Sequence, residues 1–290
     1  MSLRTTVWLG LSFVAFAGQG DLTFNSNVRL VEVYATVFDD HGKFVNRLGR
    51  DRFQILDNQS PVAIKTFESG GGGESPVTCA ILLDTTGSMA ADLPIVKNSI
   101  VRLIGELGEK DHVGVFSFAN IVTTLQDYTL DKKAGMNAVL RARSQGATAL
   151  FDALSQVARR LAGHSGRKAL IVFTDGMDNA SVLNATAATV RAKKAGVPIY
   201  VVGQGAALKE RKFMKLLSEI AQVTGGKSYE ARTRSDVEQI FADISQDLQH
   251  TYMLTYTAPV EKDTNWRTIQ VIVAGLKDYK VRAKEGYYLD

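Results

Sequence analysis

Cysteine is nearly missing from this chain of 290 residues, with Cys79 standing alone. A single thiol excludes an intrachain disulfide, and no lipid-acceptor cysteine follows the N-terminal segment. Its place at the start of an apolar run reads as an inert core thiol. Long hydrophobic runs are missing too. Val7 to Phe16 falls short of the ~20 residues that span a bilayer, and no later segment is long and apolar enough. The net charge of +4 and pI near 9.0 come without a dense basic–aromatic stripe. Lysines and arginines are scattered, as in Arg191-Ala-Lys193-Lys194 and Lys209-Glu-Arg211-Lys212, so they read as solvated helix faces and nucleic acid is not expected. No Gly-x-x-x-x-Gly-Lys-Ser/Thr phosphate loop occurs. Gly163-His-Ser165-Gly misses the Gly-x-Ser-x-Gly nucleophile elbow. His41, His112, His164 and His250 lie in unrelated contexts and read as turn, strand or surface residues.

What is present is an ordinary globular composition, 45% hydrophobic and 22% charged, in a length that suits one large or two modest domains. The most informative stretch is Ala80-Ile-Leu-Leu-Asp84-Thr-Thr86-Gly-Ser88-Met. Its apolar run reads as a strand buried on both faces. Asp84, Thr86 and Ser88 then fall in the loop leaving it, where side chains two apart can turn toward one point. One carboxylate and two hydroxyls are hard oxygen ligands for a small divalent cation, though too few to complete its shell.

A second strand-like run, from Lys168, ends in Thr174-Asp175-Gly-Met-Asp178-Asn179. Parallel strands bring their carboxyl ends to one edge, where open α/β sheets bind ligands. Between the two lies Gly146-Ala-Thr148-Ala-Leu-Phe-Asp152, a glycine turn that runs into a helical pattern with Thr148 near its start. The bland reading makes Asp84, Asp175 and Thr148 caps of helices that follow strands. Asp178 and Asn179 read as turn formers, with hydrogen-bond support of a site's ligands as the alternative.

In order and context, Asp84-x-Thr86-x-Ser88, then Thr148, then Asp175-Gly resemble the metal-ion-dependent adhesion site (MIDAS) of the von Willebrand factor type A family. The resemblance implies a doubly wound, Rossmann-like α/β domain in which Asp84, Thr86, Ser88, Thr148 and Asp175 hold Mg2+ or Mn2+. It also implies a non-catalytic module whose ion bridges to an Asp or Glu of a protein partner. Thr86 departs from the usual serine, keeping the oxygen and adding a methyl group that tightens the loop.

Composition shifts divide the chain. Residues 1–20 read as a secretory signal, with Arg4 before the apolar run and Ala15-Phe16-Ala17 as a cleavage site; an uncleaved anchor is the alternative. Export to the periplasm or beyond the cell follows, with no membrane span after cleavage. Residues 21–69 are β-rich, with a strand through Val28 to Phe38 and a hairpin from Phe53 to Phe67. Residues 70–76 form a glycine-rich linker.

From 77 to 250 strands alternate with helical patterns, the mark of a parallel sheet. Helices are expected over 95–107, 149–161, 185–195 and 211–223. The last helix is expected to open on a capping box at Ser235-Asp-Val-Glu238 and to run to about Gln249. Strands are expected at 112–118 and 198–202, with an edge segment near 121–125.

Residues 251–290 return to β. Neither flank suffices for a core alone, so the two are expected to fold together as a smaller β-sandwich with the α/β domain inserted. This layout also resembles the VWFA-related acidobacterial family of exported bacterial proteins. The resembling features are Val33 to Phe38, Phe53-x-Ile-x-Asp57, Tyr252-x-x-x-Tyr256, Trp266-Arg-x-Ile269 and Gly286-Tyr-Tyr288.

Two other function classes compete. A metal-dependent phosphatase would use Asp84 as nucleophile beside a cation, but Thr86 stands where a second acid would be expected. A structural module with a vestigial site is the third reading. Substitution of Asp84 separates the three.

Overall fold

Val31, Val33, Ala35 and Val37 alternate along the first strand, and all four are buried. The computed structural model describes residues 29–69, 76–259 and 266–289. The expected export signal, residues 1–20, and nearly all of the glycine linker lie outside that set. The N-terminal flank supplies β1 (Leu30–Phe38), β2 (Phe53–Asp57), β3 (Ser60–Val62) and β4 (Ile64–Ser69). Phe53 to Phe67 is therefore more than one hairpin. β3 pairs with β2, but after Ala63 the chain crosses to another sheet, where β4 pairs with a strand from the far end of the sequence. Sequence pattern alone cannot show such a switch, because β3 and β4 are almost contiguous.

The central unit runs from β5 (Val77–Asp84) through α1 (Leu93–Glu106), β6 (His112–Phe118), β7 (Val122–Thr129), α2 (Lys132–Arg141) and α3 (Leu150–Ala162). It continues through β8 (Arg167–Thr174), α4 (Ala185–Ala195), β9 (Ile199–Gln204), α5 (Arg211–Val223), β10 (Ser228–Ala231) and α6 (Arg234–His250). Its six strands lie in the order β10-β9-β8-β5-β6-β7, parallel except at the edge strand β7. Every residue of β5 and β8 is buried, as helices on both faces require.

Side-chain alternation sorts the core into two layers. Cys79, Ile81, Leu83, Ile171 and Phe173 pack under α1, α2 and α6. Ala80, Leu82, Leu170 and Val172 pack under α3, α4 and α5. Each fully buried aliphatic side chain contributes roughly 1.5–3 kcal/mol. α2 and β10 emerge without a sequence expectation: α2 is short and weakly apolar, and β10 has four residues. The cap of α6 also differs. Thr233, in extended backbone, accepts from Asp236 N, and the Asp236 carboxylate accepts from Thr233 N. Ser235 is already inside the first turn, so the box closes two residues earlier than the Ser-x-x-Glu pattern implies.

After α6 come β11 (Tyr252–Thr257), β12 (Trp266–Val273), β13 (Lys280–Ala283) and β14 (Gly286–Tyr288). They interleave with the N-terminal flank in two antiparallel four-stranded sheets, β13-β1-β11-β4 and β14-β12-β2-β3. Val33, Ile55, Leu254, Tyr256, Val271 and Val273 fill the space between the sheets. The smaller β-sandwich is thus built from both ends of the chain. At its centre Asp57, 0% exposed, accepts from Arg267 Nε (2.6 Å), Tyr256 Oη (2.8 Å) and Tyr287 Oη (2.7 Å).

The sandwich is pinned to the α/β unit by a second polar cluster. Asp247 of α6 accepts from Tyr200 Oη (2.5 Å) and from Arg282, which also donates to Thr36 Oγ1 at 2.9 Å. Along the same seam lies Lys284, 5% exposed. Burial, opposed by Glu32, lowers its ammonium from the ordinary 10.5 to about 8. Between those values the unfolded chain binds the extra proton, so this residue's contribution to stability rises with pH from about 8 to 10.5 and is lost as pH falls. Lys284→Met is therefore expected to be more stable than the parent at neutral pH, by on the order of 2–3 kcal/mol. The difference should shrink toward pH 10.5 in urea unfolding at a series of pH values. A pH-independent difference would show that the ammonium is not the source.

Candidate metal centre

Strand order reverses between β5 and β8, because β5 continues to β6 on one side and β8 continues to β9 on the other. Loops leaving such neighbours diverge and open a crevice at their carboxyl ends. Asp84 is the last residue of β5 and Thr174 the last of β8, so both stand at that crevice.

Asp84 is fully buried. Its Oδ1 accepts from Thr86 N at 2.9 Å, and its Oδ2 accepts from Thr174 Oγ1 at 2.7 Å. Thr86 Oγ1 lies 3.1 Å from Ser88 Oγ, and Ser88 Oγ donates to Asp175 Oδ1 at 2.8 Å. The hydroxyls of the first loop thus link the carboxylate of β5 to the one that follows β8. Ser88 is exposed, whereas Thr86 and Asp175 are buried, so the cluster opens toward solvent on the Ser88 side.

Thr148 enters from the second loop. Gly146 turns that loop at φ +83°. Ala147 N then donates to Asn120 Oδ1 and Thr148 N to Asn179 Oδ1, both at 2.9 Å. A Cβ placed on Gly176 would stand 3.7 Å from Thr148 Oγ1 and 4.0 Å from Ser88 Oγ. Both hydroxyls therefore border the same small space above Gly176. The structure brings all five sequence-selected residues together, and Asp84, Thr148 and Asp175 do not stand as the N-caps of the helices that follow.

Three further residues support the site; Asp178 and Asn179 had support of a site as their alternative reading in the sequence, and Thr174 had none. Thr174 donates to Asp84, and its signal is a lone hydroxyl at the end of an otherwise apolar strand. Asn179, expected as a turn former, fixes Thr148 through its side chain. Asp178 accepts from Phe151 N (2.8 Å) and Ser181 Oγ (2.6 Å), so it caps the start of α3 and anchors the third loop.

Burial raises the pKa of both Asp84 and Asp175; hydrogen bonds from Thr174 and Thr86 offset this for Asp84, and one from Ser88 for Asp175. Asp84 and Asp92 push Asp175 further up. Among the described residues no lysine, arginine or histidine forms an ion pair with either carboxylate. Two buried carboxylates without a counter-charge are expensive. Together with three hydroxyls, they form an oxygen-only donor set that fits a hard divalent cation. No group of three or more His, Cys, Asp or Glu side chains is assembled among the described residues, and the donors here are mostly hydroxyls.

The von Willebrand factor type A domain model matches residues 79–243, more than half of the chain and the whole of this crevice. The chain belongs to the von Willebrand factor type A (VWA) domain family. A Mycobacterium leprae protein named UPF0353 is 24% identical over 226 residues, covering 68% of this chain and 66% of that protein, just under two thirds of its length.

Among solved structures, a von Willebrand factor type A protein from Catenulispora acidiphila superposes with a TM-score of 0.52 at 14% identity. That likeness covers 92% of this chain and 75% of the other, so it extends beyond the VWA domain into the flanks. The vWF domain of the type V pili tip protein Mfa5 from Porphyromonas gingivalis gives 0.50 at 13% identity, covering 59% and 94%. At these identities the likeness concerns the fold alone.

Proposed function

We propose that this VWA domain, residues 77–250, is a non-catalytic protein-interaction module of an exported protein. In this reading it takes an acidic side chain of a partner through Mg2+ or Mn2+. One observation carries the reading: two buried, uncompensated carboxylates and three hydroxyls converge on one crevice at the switch point of the sheet. Membership of the VWA family and the pilus-tip origin of one fold relative support it.

Asp84, Thr86, Ser88, Thr148 and Asp175 would hold the cation. When bound, it supplies positive charge that an anionic partner group can reach from solvent. The chain's own residues do the rest. Thr174 and Thr86 N keep Asp84 fixed, Asn179 fixes Thr148, and the exposed side of Ser88 leaves an approach for the partner. Position 86 is a threonine, so the crevice lacks a second acid there for proton transfer, which argues for binding over hydrolysis. The two flanks would then form one sandwich that carries the inserted VWA domain.

Isothermal titration of Mg2+ and Mn2+ into the metal-stripped protein tests this. Saturable binding to one site is expected, strengthened by a peptide carrying glutamate. Absence of binding at millimolar metal, with and without that peptide, would sink the proposal. A pH series adds a second check. Both carboxylates titrate above the ordinary value, so protons compete with the metal at a higher pH than they would at a surface aspartate. Affinity is expected to fall as the pH drops into the raised titration range of the two carboxylates, approaching about tenfold per unit for each of them that must lose a proton to bind.

A further inference from the structure

A second cavity of about 270 Å3 lies at the seam between the sandwich and the VWA domain. It sits at the start of β8, the opposite end of that strand from the metal centre. Its walls come from four places. Arg29 and Glu32 belong to the β1 region, Lys168 to β8, Lys193 and Lys194 to the last turn of α4, and Lys284 to the turn before β14. Among the described residues, Arg29, Lys168, Lys193 and Lys284 thus face one carboxylate in this cavity, Glu32, and that carboxylate is already engaged. Glu32 binds Lys168 Nζ through both oxygens (2.8 and 3.1 Å) and accepts from Tyr34 Oη at 2.9 Å. Lys284 is more than nine-tenths buried. Among the described residues its ammonium has no hydrogen bond and no ion pair, and its aromatic neighbour is the Tyr287 ring, 5.9 Å away.

We propose that this cavity is an anion site for a phosphate group borne by a small molecule or a lipid headgroup, with Lys284 as its buried anchor. Ammonium groups are compact, hydrated point charges that suit phosphate oxygens, whereas planar carboxylate recognition favours arginine forks. The cavity is near the lower end of the roughly 300–1,000 Å3 usual for ligand sites, which limits the ligand to a phosphate and a few further atoms. A purely structural reading is that Lys193 and Lys194 complement the carboxyl end of the α4 dipole. That accounts for two of the cations but not for Arg29 and Lys284, which come from other walls. The depressed pKa of Lys284 fits a site whose positive charge lacks its anion. This inference does not depend on the metal centre.

The test is titration of inorganic phosphate into the full chain with EDTA present, followed by thermal unfolding and by the fluorescence of Trp266, whose ring lies 4.4 Å from Lys193 Nζ. A saturable stabilisation that sodium chloride of equal ionic strength does not reproduce is expected. Lys284→Met, which removes the buried charge, and Lys193→Ala, on the α4 wall, should each weaken it at least tenfold. Equal responses in the parent and both variants, or a response matched by chloride, would overturn the proposal. Flotation with phosphatidylglycerol vesicles identifies the source. Flotation lost in Lys284→Met places the phosphate on a lipid; none, with phosphate binding intact, places it on a soluble molecule.

Discussion

Asp84→Asn is expected to abolish divalent-cation binding, weakening it at least a hundredfold, without lowering the stability of the metal-free protein at neutral pH. The two halves follow from the same geometry. Asp84 is wholly buried at the end of β5, where hydrogen bonds from Thr174, Thr86 and the Asp175 backbone, but no counter-charge among the described residues, offset its charge. Its raised pKa means that ionisation in the folded state costs free energy. An acid raised on folding contributes stability that is present at low pH and lost as pH rises through its folded value, so at neutral pH the ionised carboxylate is a liability. Asparagine keeps the oxygen that accepts from Thr86 N and removes the charge.

A cation reverses this balance, because its charge is what the buried pair lacks. The protein should thus gain thermal stability from Mg2+ or Mn2+, and the variant should gain none. Isothermal titration alongside calorimetric unfolding, with and without metal, reads both effects. A variant that still binds metal would remove Asp84 from the site. One that unfolds without metal would make the carboxylate a structural group instead.

Arg267→Ala is expected to be the most damaging single change in the sandwich, costing about 3–5 kcal/mol. Arg267 on β12 is 5% exposed and meets Asp57 of β2, 0% exposed, at 2.6 Å. The same carboxylate takes hydroxyl bonds from Tyr256 on β11 and Tyr287 on β14. One buried anion thus gathers strands from both ends of the chain. Burial and the bond to Asp57 raise the Tyr287 phenol to about 12, so both hydroxyls remain donors at any physiological pH. Loss of Arg267 leaves the negative charge with neutral donors only, in surroundings too dry to screen it. Asp57→Leu combined with Arg267→Met should recover much of the loss, since removing both charges leaves nothing unsatisfied except two phenols. Urea unfolding followed by Trp266 fluorescence, with a lower midpoint and unchanged slope, is the measurement. A cost below about 1 kcal/mol would show that the two tyrosines suffice.

The expectations from sequence fared unevenly, for physical reasons. Helices over 93–106, 150–162 and 211–223 were legible because each carries an apolar stripe, the one over 185–195 through its alanine-rich run, and β5 and β8 because they are buried on both faces. The split between β3 and β4 was not. It depends on which distant strand each half pairs with, and local alternation is the same on both sides of Ala63. The α6 cap was misplaced because Ser235-x-x-Glu238 and Thr233-x-x-Asp236 satisfy one pattern, and only backbone geometry chooses between them. Lys284 carried no signal at all, and Asp57 entered only as part of a motif, with no sign of its buried partners. Charged residues in strand-rich segments read as solvent-facing until the partners that bury them are known.

By itself the sequence determined the parallel α/β class, the five oxygen-bearing residues of the crevice, and most of the strands and helices, though not α2, β10 or the β3–β4 split. Each of these rests on short-range information: burial period, turn chemistry, and a carboxylate placed where a buried strand must end. Tertiary structure decided what depends on meetings between remote segments. It brought Ser88 within a hydrogen bond of Asp175, set Thr174 and Asn179 behind the crevice, and wove both flanks into two sheets. It also tied α6 to the sandwich through Asp247 and Arg282. Such contacts join residues 31 to 230 positions apart, and the strength of each depends on a burial that no local stretch of chain specifies.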